Sequence, residues 1–328
     1  MASLQPVLDS ITQTPDGDLE QLITALGGRA ILVHRENGML WERESRHLPP
    51  AVRFDIASSI KFAISSKLQS GSSALPTPEA DLRAWAMFAA MISVSLDPNR
   101  LSRADEESQL TTLARTVLVM PMPPPIEAVT NHRSASIDLP RTRREALLAA
   151  SIRQFAANGF DAVSLDDIGA EVGVAGPSIY RHFDSKAEML AAALHRAKEV
   201  RWMDMSRALT EAADAAEALQ RIFSSYIAFS LGSPEFLQLA VSERPHLPER
   251  ELRNLMEAQG DYVTDVASLV QDVYPPGADQ EVVRTRVKAA LHVVSSVVRT
   301  PPFLRDIRGI QEILEQIARG LIAPTPPQ

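Results

Sequence analysis

Phe155-Ala156-Ala157-Asn158-Gly159-Phe160, Ser164-Leu165-Asp166-Asp167-Ile168, Val172-Gly173-Val174 and Ile179-Tyr180-Arg181-His182-Phe183-Asp184-Ser185-Lys186 lie in order within one short stretch, and their reading decides the fold. Leu148, Ile152 and Phe155 fall at i, i+4 and i+7, one apolar stripe on a first helix. Asn158-Gly159 ends that helix, with Gly159 suited to a left-handed cap and Phe160 folding back on the core. Ser164 starts a second helix. Asp167 stands three residues on, at capping-box spacing, so that orphan N–H groups find acceptors. Ile168 and Val172 point inward before Gly173-Val174 makes a tight turn, and Pro177 is tolerated in the first turn of the next helix. That third helix is read as Ser178 to Phe183. Ile179 and Phe183, at i and i+4, face the core and leave Ser178, Tyr180, Arg181 and His182 outward. Asp184-Ser185-Lys186 opens a long fourth helix.

Three short helices with a glycine turn between the last two make a helix-turn-helix. Its last helix lies in the major groove, with outward side chains on phosphates and base edges. Taken singly, Tyr180 reads as a half-buried helix aromatic, His182 as a surface histidine and Lys186 as a solvated lysine. Their joint spacing behind a glycine turn points to DNA. From Arg141 to Leu194 the chain resembles the DNA-binding domain of the TetR family, on the four segments quoted above. The resemblance implies an all-α protein with a helix-turn-helix head and a helical ligand-binding and dimerisation bundle. It implies that Ser164 meets a phosphate at the start of the second helix, that Tyr180 and His182 bind backbone phosphates, and that Lys186 reaches one from the next helix. Ala175, Gly176, Pro177, Ser178 and Arg181 then lie nearest the bases. Two positions depart from the family pattern. Ala175 stands where Ser or Thr commonly caps the recognition helix, and Pro177 where Gly is frequent; neither side chain donates a hydrogen bond.

Charge does not advertise this head. The chain carries 33 basic and 41 acidic residues, a net charge of −8. A small reading head on an acidic body is compatible with that balance, because the phosphate field is felt only within about a Debye length. Residues 138–202 hold nine Lys/Arg and nine Asp/Glu. Arg141, Arg143 and Arg144 cluster, either as an arm touching the DNA backbone or as a solvated helix start.

The clearest punctuation is Pro121-Met122-Pro123-Pro124-Pro125, followed by polar sequence to Pro140. Consecutive prolines forbid helix, so 121–140 reads as a linker between a helical unit at 1–120 and the head at 141–190. A helical ligand and dimerisation domain follows at 191–323. Leu82, Trp85, Phe88 and Ala89 repeat at helical spacing, as do Ile310, Ile313, Leu314 and Ile317, and no alternation supports a sheet.

The two halves also echo each other. Glu44-Ser45-Arg46-His47-Leu48-Pro49 faces Glu243-Arg244-Pro245-His246-Leu247-Pro248, at an offset of 199. Pro76 faces Pro276 and Ala89-Ala90-Met91 faces Ala289-Ala290-Leu291, both at 200, and Leu113-Ala114-Arg115 faces Ile317-Ala318-Arg319 at 204. A shared order with so little drift reads as tandem duplication. The TetR family includes tandem members of two fused units, some linked to lipid and sterol catabolism, and this chain resembles one whose first head is missing. Only 46 residues precede His47, too few for a second head.

Enzymatic chemistry finds no footing. There is no cysteine, and the seven histidines (34, 47, 132, 182, 195, 246, 292) lack zinc spacing. No phosphate-cradling glycine loop or nucleophile elbow is present, so no cofactor or metal is expected. Glu243 and His246, with Glu44 and His47, read as a helix end before a new helix rather than as an acid/base pair. No apolar run reaches the ~18 residues of a membrane span, and no signal peptide is evident, which fits a cytoplasmic protein.

The expected function is therefore a ligand-responsive transcriptional regulator, read as a repressor, that binds a double-stranded operator. The alternative is a partner that has lost one head and acts by associating with a full regulator. Candidate effector contacts are Trp202, Tyr226, Phe229, Phe236, Tyr262 and His292. The tandem resemblance implies a small hydrophobic effector, an acyl or sterol-derived coenzyme A thioester. TetR-like proteins pair through their last two helices, here about 281–320, with a counterpart at about 79–119. The expectation is an internal pseudo-dimer with one head, and a homodimer through 281–320 is the competing arrangement.

Overall fold

The protein is described by a computed structural model that covers residues 5–16, 18–26, 31–32, 48, 50–70, 75–96, 101–123, 142–174, 176–274, 279–299, 302–305 and 307–323. Within these, every extended regular element is helical. The first unit comprises α1 (Gln5–Thr12), α2 (Leu19–Thr24), α3 (Pro50–Leu68), α4 (Thr77–Ser95) and α5 (Arg103–Val119). The head is α6 (Arg143–Asn158), α7 (Leu165–Glu171) and α8 (Gly176–Ile179). The body is α9 (Lys186–Glu211), α10 (Ala215–Gly232), α11 (Pro234–Gln238), a π turn at Leu239–Glu243, a 3-10 turn at Arg244–His246, α12 (Glu249–Val273), α13 (Gln280–Arg299), α14 (Pro302–Arg305) and α15 (Ile310–Ile322).

Helix starts follow local chemistry. Side-chain oxygens of Ser102, Thr142, Ser164, Ser185 and Asp214 each accept the backbone N–H three residues on, the arrangement that satisfies the orphan donors of a first turn. α4 has no polar face at all: Leu82 to Ser95 are buried without exception. A helix apolar all round must be enclosed, and α4 is enclosed by α3, α5 and α13.

That enclosure joins the two halves. One continuous apolar core runs from Ile11 and Leu22 through Trp85 and Leu113 to Val287, Leu314 and Ile322. A second, smaller core holds the head, built from Leu147, Phe155, Ile168, Ile179, Phe183 and Leu194. Leu239 and Leu247, from the irregular turns before α12, belong to this second core and fasten the head to the body.

α4 and α5 lie against α13 and α15. The Trp85 indole N–H donates to Ser296 Oγ at 3.1 Å, across 211 residues of chain. The buried Arg83 guanidinium on α4 donates to the Val117, Leu118 and Met120 carbonyls at 2.7, 2.7 and 2.8 Å, at the end of α5. On α13, the buried Arg286 donates to the Ala323 carbonyl at 2.8 Å, at the end of α15. Arg83 and Arg286 are 203 residues apart, and so are Met120 and Ala323. A cation held against the carbonyl end of a helix is favourable because the backbone dipoles leave negative partial charge there. A similar contact is thus made at both helix ends, at an offset of 203, three residues from the 200 at which Ala89-Ala90 faces Ala289-Ala290 in the same two helices. α3 and α12 each begin just after a Leu-Pro pair.

Some readings change. The third helix of the head was expected over 178–183; it starts earlier, at Gly176, and is regular only to Ile179. Looser turns follow, in which Ile179 O accepts from both His182 N at 2.8 Å and Phe183 N at 3.1 Å. Gly159 has positive φ (82°), but its ψ of 155° is not that of a left-handed cap; the chain leaves α6 extended, which carries Phe160 toward the body. Ala175, most of the 121–140 linker, Arg141, Glu44 and His47 lie outside the described residues, as do the side chains of Gly176 and Pro177.

Candidate nucleic-acid interface

The head is assembled around one close approach. The Gly169 carbonyl on α7 accepts the Val174 N–H at 2.8 Å, closing the turn between α7 and α8. A Cβ at Gly169 would run into the Val174 carbonyl oxygen and lie 2.8 Å from Ile179 Cδ1. Only glycine lets the two helices meet there. Gly173, at φ 68°, turns the chain in the left-handed region.

α7 is tied at its start by a complete capping box. Ser164 Oγ accepts the Asp167 N–H at 3.1 Å, and Asp167 Oδ2 accepts both the Ser164 N–H at 2.9 Å and its hydroxyl at 2.5 Å. These bonds from Ser164 hold the Asp167 carboxyl below the ordinary aspartate range. The Ser164 hydroxyl proton is thereby committed within the head. Its role here is to shape the first turn of α7, whose N-terminal amide groups are the feature attractive to a phosphate.

Ile179 and Phe183 are sealed in the core, and the Arg144 guanidinium covers the Phe183 ring at 4.3 Å. This seal turns the opposite face outward. Tyr180 is 59% exposed, Arg181 is exposed, and Ser178 and His182 are half-buried. Arg153 and Arg196 are taken up by Glu171 and Glu145, at 2.5 and 2.9 Å. Among the described residues, Arg181 makes no ion pair. Its charge faces solvent, beside Tyr180.

Lys186 has partners within the protein that the sequence did not show. Its ammonium donates to the Phe160 and Val163 carbonyls at 2.8 and 2.7 Å and sits over the Phe160 ring at 4.5 Å. Two of its three N–H bonds knit α9 to the loop between α6 and α7, leaving one for a phosphate. The same loop is held from the body side. The buried Glu243 carboxylate accepts the Phe160 N–H at 3.0 Å, and His246 stacks on the Phe160 ring at 4.6 Å. The sequence reading took Glu243 and His246 as a helix end before a new helix; in the structure they also brace the Phe160 loop. Gly169 escaped the sequence reading, and the partners of Glu243 and Arg144, Phe160 and Phe183, could not be read from it because they lie on other elements.

In the body, the effector candidates separate into two groups. Trp202 and Tyr262 meet edge to face at 6.0 Å, and the Tyr226 hydroxyl donates to the Leu291 carbonyl at 3.3 Å. Arg201, not singled out from the sequence, lies between the Tyr226 and Tyr262 rings. Burial pushes both tyrosine hydroxyls above their ordinary range, with Arg201 opposing, so both stay protonated. Phe229 and Phe236 form a separate pair at 5.7 Å, Phe236 being packed on the head core. His292 follows Leu291 on α13 and is half-buried.

With this geometry in view, residues 147–193 match the family described as bacterial regulatory proteins, tetR family. The head is that of a TetR-family transcription regulator. The HTH-type transcriptional activator FasR of Mycolicibacterium smegmatis (strain ATCC 700084 / mc(2)155) is 27% identical over 175 residues, which are 53% of this chain and 78% of that protein. Among solved structures, the TetR family transcriptional regulator PfmR from Thermus thermophilus is 18% identical. That likeness covers 58% of this chain and 100% of PfmR with a TM-score of 0.49. The ketosteroid transcriptional regulator KstR2 of Mycobacterium tuberculosis is 20% identical and covers 56% of this chain and 96% of its own, with a TM-score of 0.47.

Proposed function

We propose that this TetR-family chain is a ligand-responsive regulator that grips one operator half-site with a single head and carries its dimer-like partner within itself. The observation behind the reading is the outer face of the recognition segment. Tyr180 and Arg181 project there while Ile179 and Phe183 are locked beneath. Tyr180, His182 and the last N–H of Lys186 serve the phosphates; Ser178, Arg181 and the Ala175-Gly176-Pro177 turn approach the bases. Ser164 acts through the α7 N-terminus that it caps.

The internal partner is α4 with α5, resting on α13 with α15 and repeating the Arg83 and Arg286 device. We divide the chain accordingly into a headless unit, linker, head and body. A tether of some twenty residues gives an effective concentration on the order of millimolar, so pairing within the chain outcompetes pairing between chains. A small hydrophobic effector held among α9, α10 and α12 near Trp202, Tyr226 and Tyr262 alters head orientation. Useful coupling of that kind is about 1–3 kcal/mol. The brace from Glu243 and His246 to Phe160 is its path to the head. FasR carries the name of an activator, so the reading commits to operator binding and its release rather than to the sign of regulation.

A salt-dependent titration of the full chain on the gene's upstream DNA tests this. Saturable binding should appear, weaker than the ~10⁻⁸ to 10⁻¹¹ M of two-headed complexes, with log affinity falling linearly in log salt. Tyr180→Ala and Arg181→Ala should each reduce it without moving the melting temperature. Equal binding to a scrambled duplex, unaffected by either change, would transfer the function to association with another regulator.

A further inference from the structure

We infer that Arg201 is the anchor for a single planar anion, and that the ligand of the body is an apolar carboxylic acid gripped by its carboxylate. The inference rests on the effector-domain reading above and gives that ligand a chemical class. Arg201 stands in α9 with its guanidinium against two rings, 4.1 Å from the centre of Tyr262 and 5.5 Å from that of Tyr226. One nitrogen, Nη1, donates to the Gln259 side-chain oxygen at 2.7 Å. Nε and Nη2 are buried and meet no acceptor. Among the described residues no carboxylate pairs with Arg201; the nearby Asp204 faces Arg207 at 3.5 Å instead.

Nε and Nη2 form one edge of the guanidinium, with parallel N–H bonds at the spacing of two carboxylate oxygens. The molecule itself shows what that edge grips. Arg115 uses its own Nε and Nη2 to clasp the two oxygens of Glu20, at 3.1 and 2.6 Å. At Arg201 Nε and Nη2 are buried and no protein carboxylate fills the fork; the polar neighbours of the guanidinium are the neutral Gln259 amide and Tyr262 hydroxyl. Buried donors are almost always satisfied, and an exception calls for a partner from outside the chain. The surroundings select the rest of the ligand. Trp202 and the tyrosine rings offer apolar contact, and both tyrosine hydroxyls remain neutral, so Arg201 is the charge in direct contact with these rings, with Arg299 acting on Tyr226 and Asp204 on Tyr262 from further off. A monoanionic acid with a hydrocarbon body fits this setting. A thioester presents no anion at its acyl carbonyl for the fork to clasp.

The test uses the full chain and three probes by calorimetry: decanoic acid, hexadecanoic acid and lithocholic acid, each beside its methyl ester. At least one acid should bind about ten times or more tighter than its ester, the difference a bidentate charged pair supplies. Arg201→Gln should bring that acid down to the level of the ester, and Arg201→Lys should restore part of the difference. Equal binding of acid and ester overturns the carboxylate anchor yet leaves the effector reading standing. Acid-selective binding that leaves operator affinity unchanged preserves the anchor and removes the effector reading. Failure of every acid to bind saturably overturns the anchor. Where Arg201→Gln does not fold, the acid and ester comparison on the unmodified chain decides alone.

Discussion

Trp85→Ala is the sharpest probe of how the two halves are joined. The indole is 1% exposed, in the middle of α4, with its N–H on Ser296 of α13. Burying a tryptophan removes ~200 Å² from water, worth about 5 kcal/mol at ~25 cal/mol per Å². Denatured-state compactness lowers that figure, while the unpaired Ser296 hydroxyl adds about 1 kcal/mol. The net expectation is about 4 kcal/mol of lost stability, within the range seen for large aromatic truncations. Urea unfolding followed by far-UV circular dichroism measures it. Because Trp85 sits in a core shared with α13 and α15, the loss should appear in the transition of the whole body, not in a separate early phase. Trp85→Phe keeps most of the area and should cost about 1–2 kcal/mol. Light scattering supplies the second reading. The unmodified chain should elute near its 35.9 kDa mass, and Trp85→Ala, by loosening α4 from α13, should shift the peak toward twice that mass. A destabilisation under about 1 kcal/mol, or a doubled mass already in the unmodified chain at micromolar concentration, would refute the internal pairing.

Other substitutions address the head. Gly169→Ala pushes a methyl into the Val174 carbonyl, so the head should lose about 1–3 kcal/mol or more and most operator affinity; thermal melting and anisotropy read both. Lys186→Met removes two charged hydrogen bonds to carbonyls and should cost about 2–3 kcal/mol of stability, whereas unchanged stability with a salt slope lower by about one unit would make it a phosphate ligand alone. Glu243→Ala strands the Phe160 N–H and unseats His246, with an expected loss of about 1–3 kcal/mol and a weakened effector response. For Asp167, whose folded pKa lies below its unfolded one, the contribution is present above the unfolded value and is lost as pH falls through the folded value. Ser164→Ala should bring the Asp167 titration, followed by NMR, back up to the ordinary aspartate range.

The head was legible in the sequence almost residue by residue. The apolar stripe Leu148, Ile152 and Phe155, the Ser164 and Asp167 box, the Gly173 turn, and the Ile179 and Phe183 anchors all lie within a few positions of one another. Such signals are local, set by helical period and by the reach of a side chain to its own backbone. The matched Leu-Pro and Ala-Ala pairs carry the expectation of a duplication, which belongs to the proposal above. Roles that depend on a distant partner could not be read. Nothing local to Lys186 told that its ammonium also bonds the Phe160 and Val163 carbonyls. The Ser164 and Asp167 box was legible, but not that the Ser164 hydroxyl proton itself is committed to Asp167.

From sequence alone came the all-α class, the reading head and the order of its helices, because each follows from chemistry within one or two turns. Tertiary structure alone decided that α4 lies on α13, that Arg83 and Arg286 close the ends of α5 and α15, that Glu243 braces the head, and that the half-buried Arg201 stands against two tyrosine rings with its Nε and Nη2 covered. Trp85 and Ser296 are 211 residues apart, and no periodicity in a chain records which of its apolar faces will meet. That choice belongs to shape complementarity and to the demand that buried polar atoms find partners, and both exist only once the helices have come together.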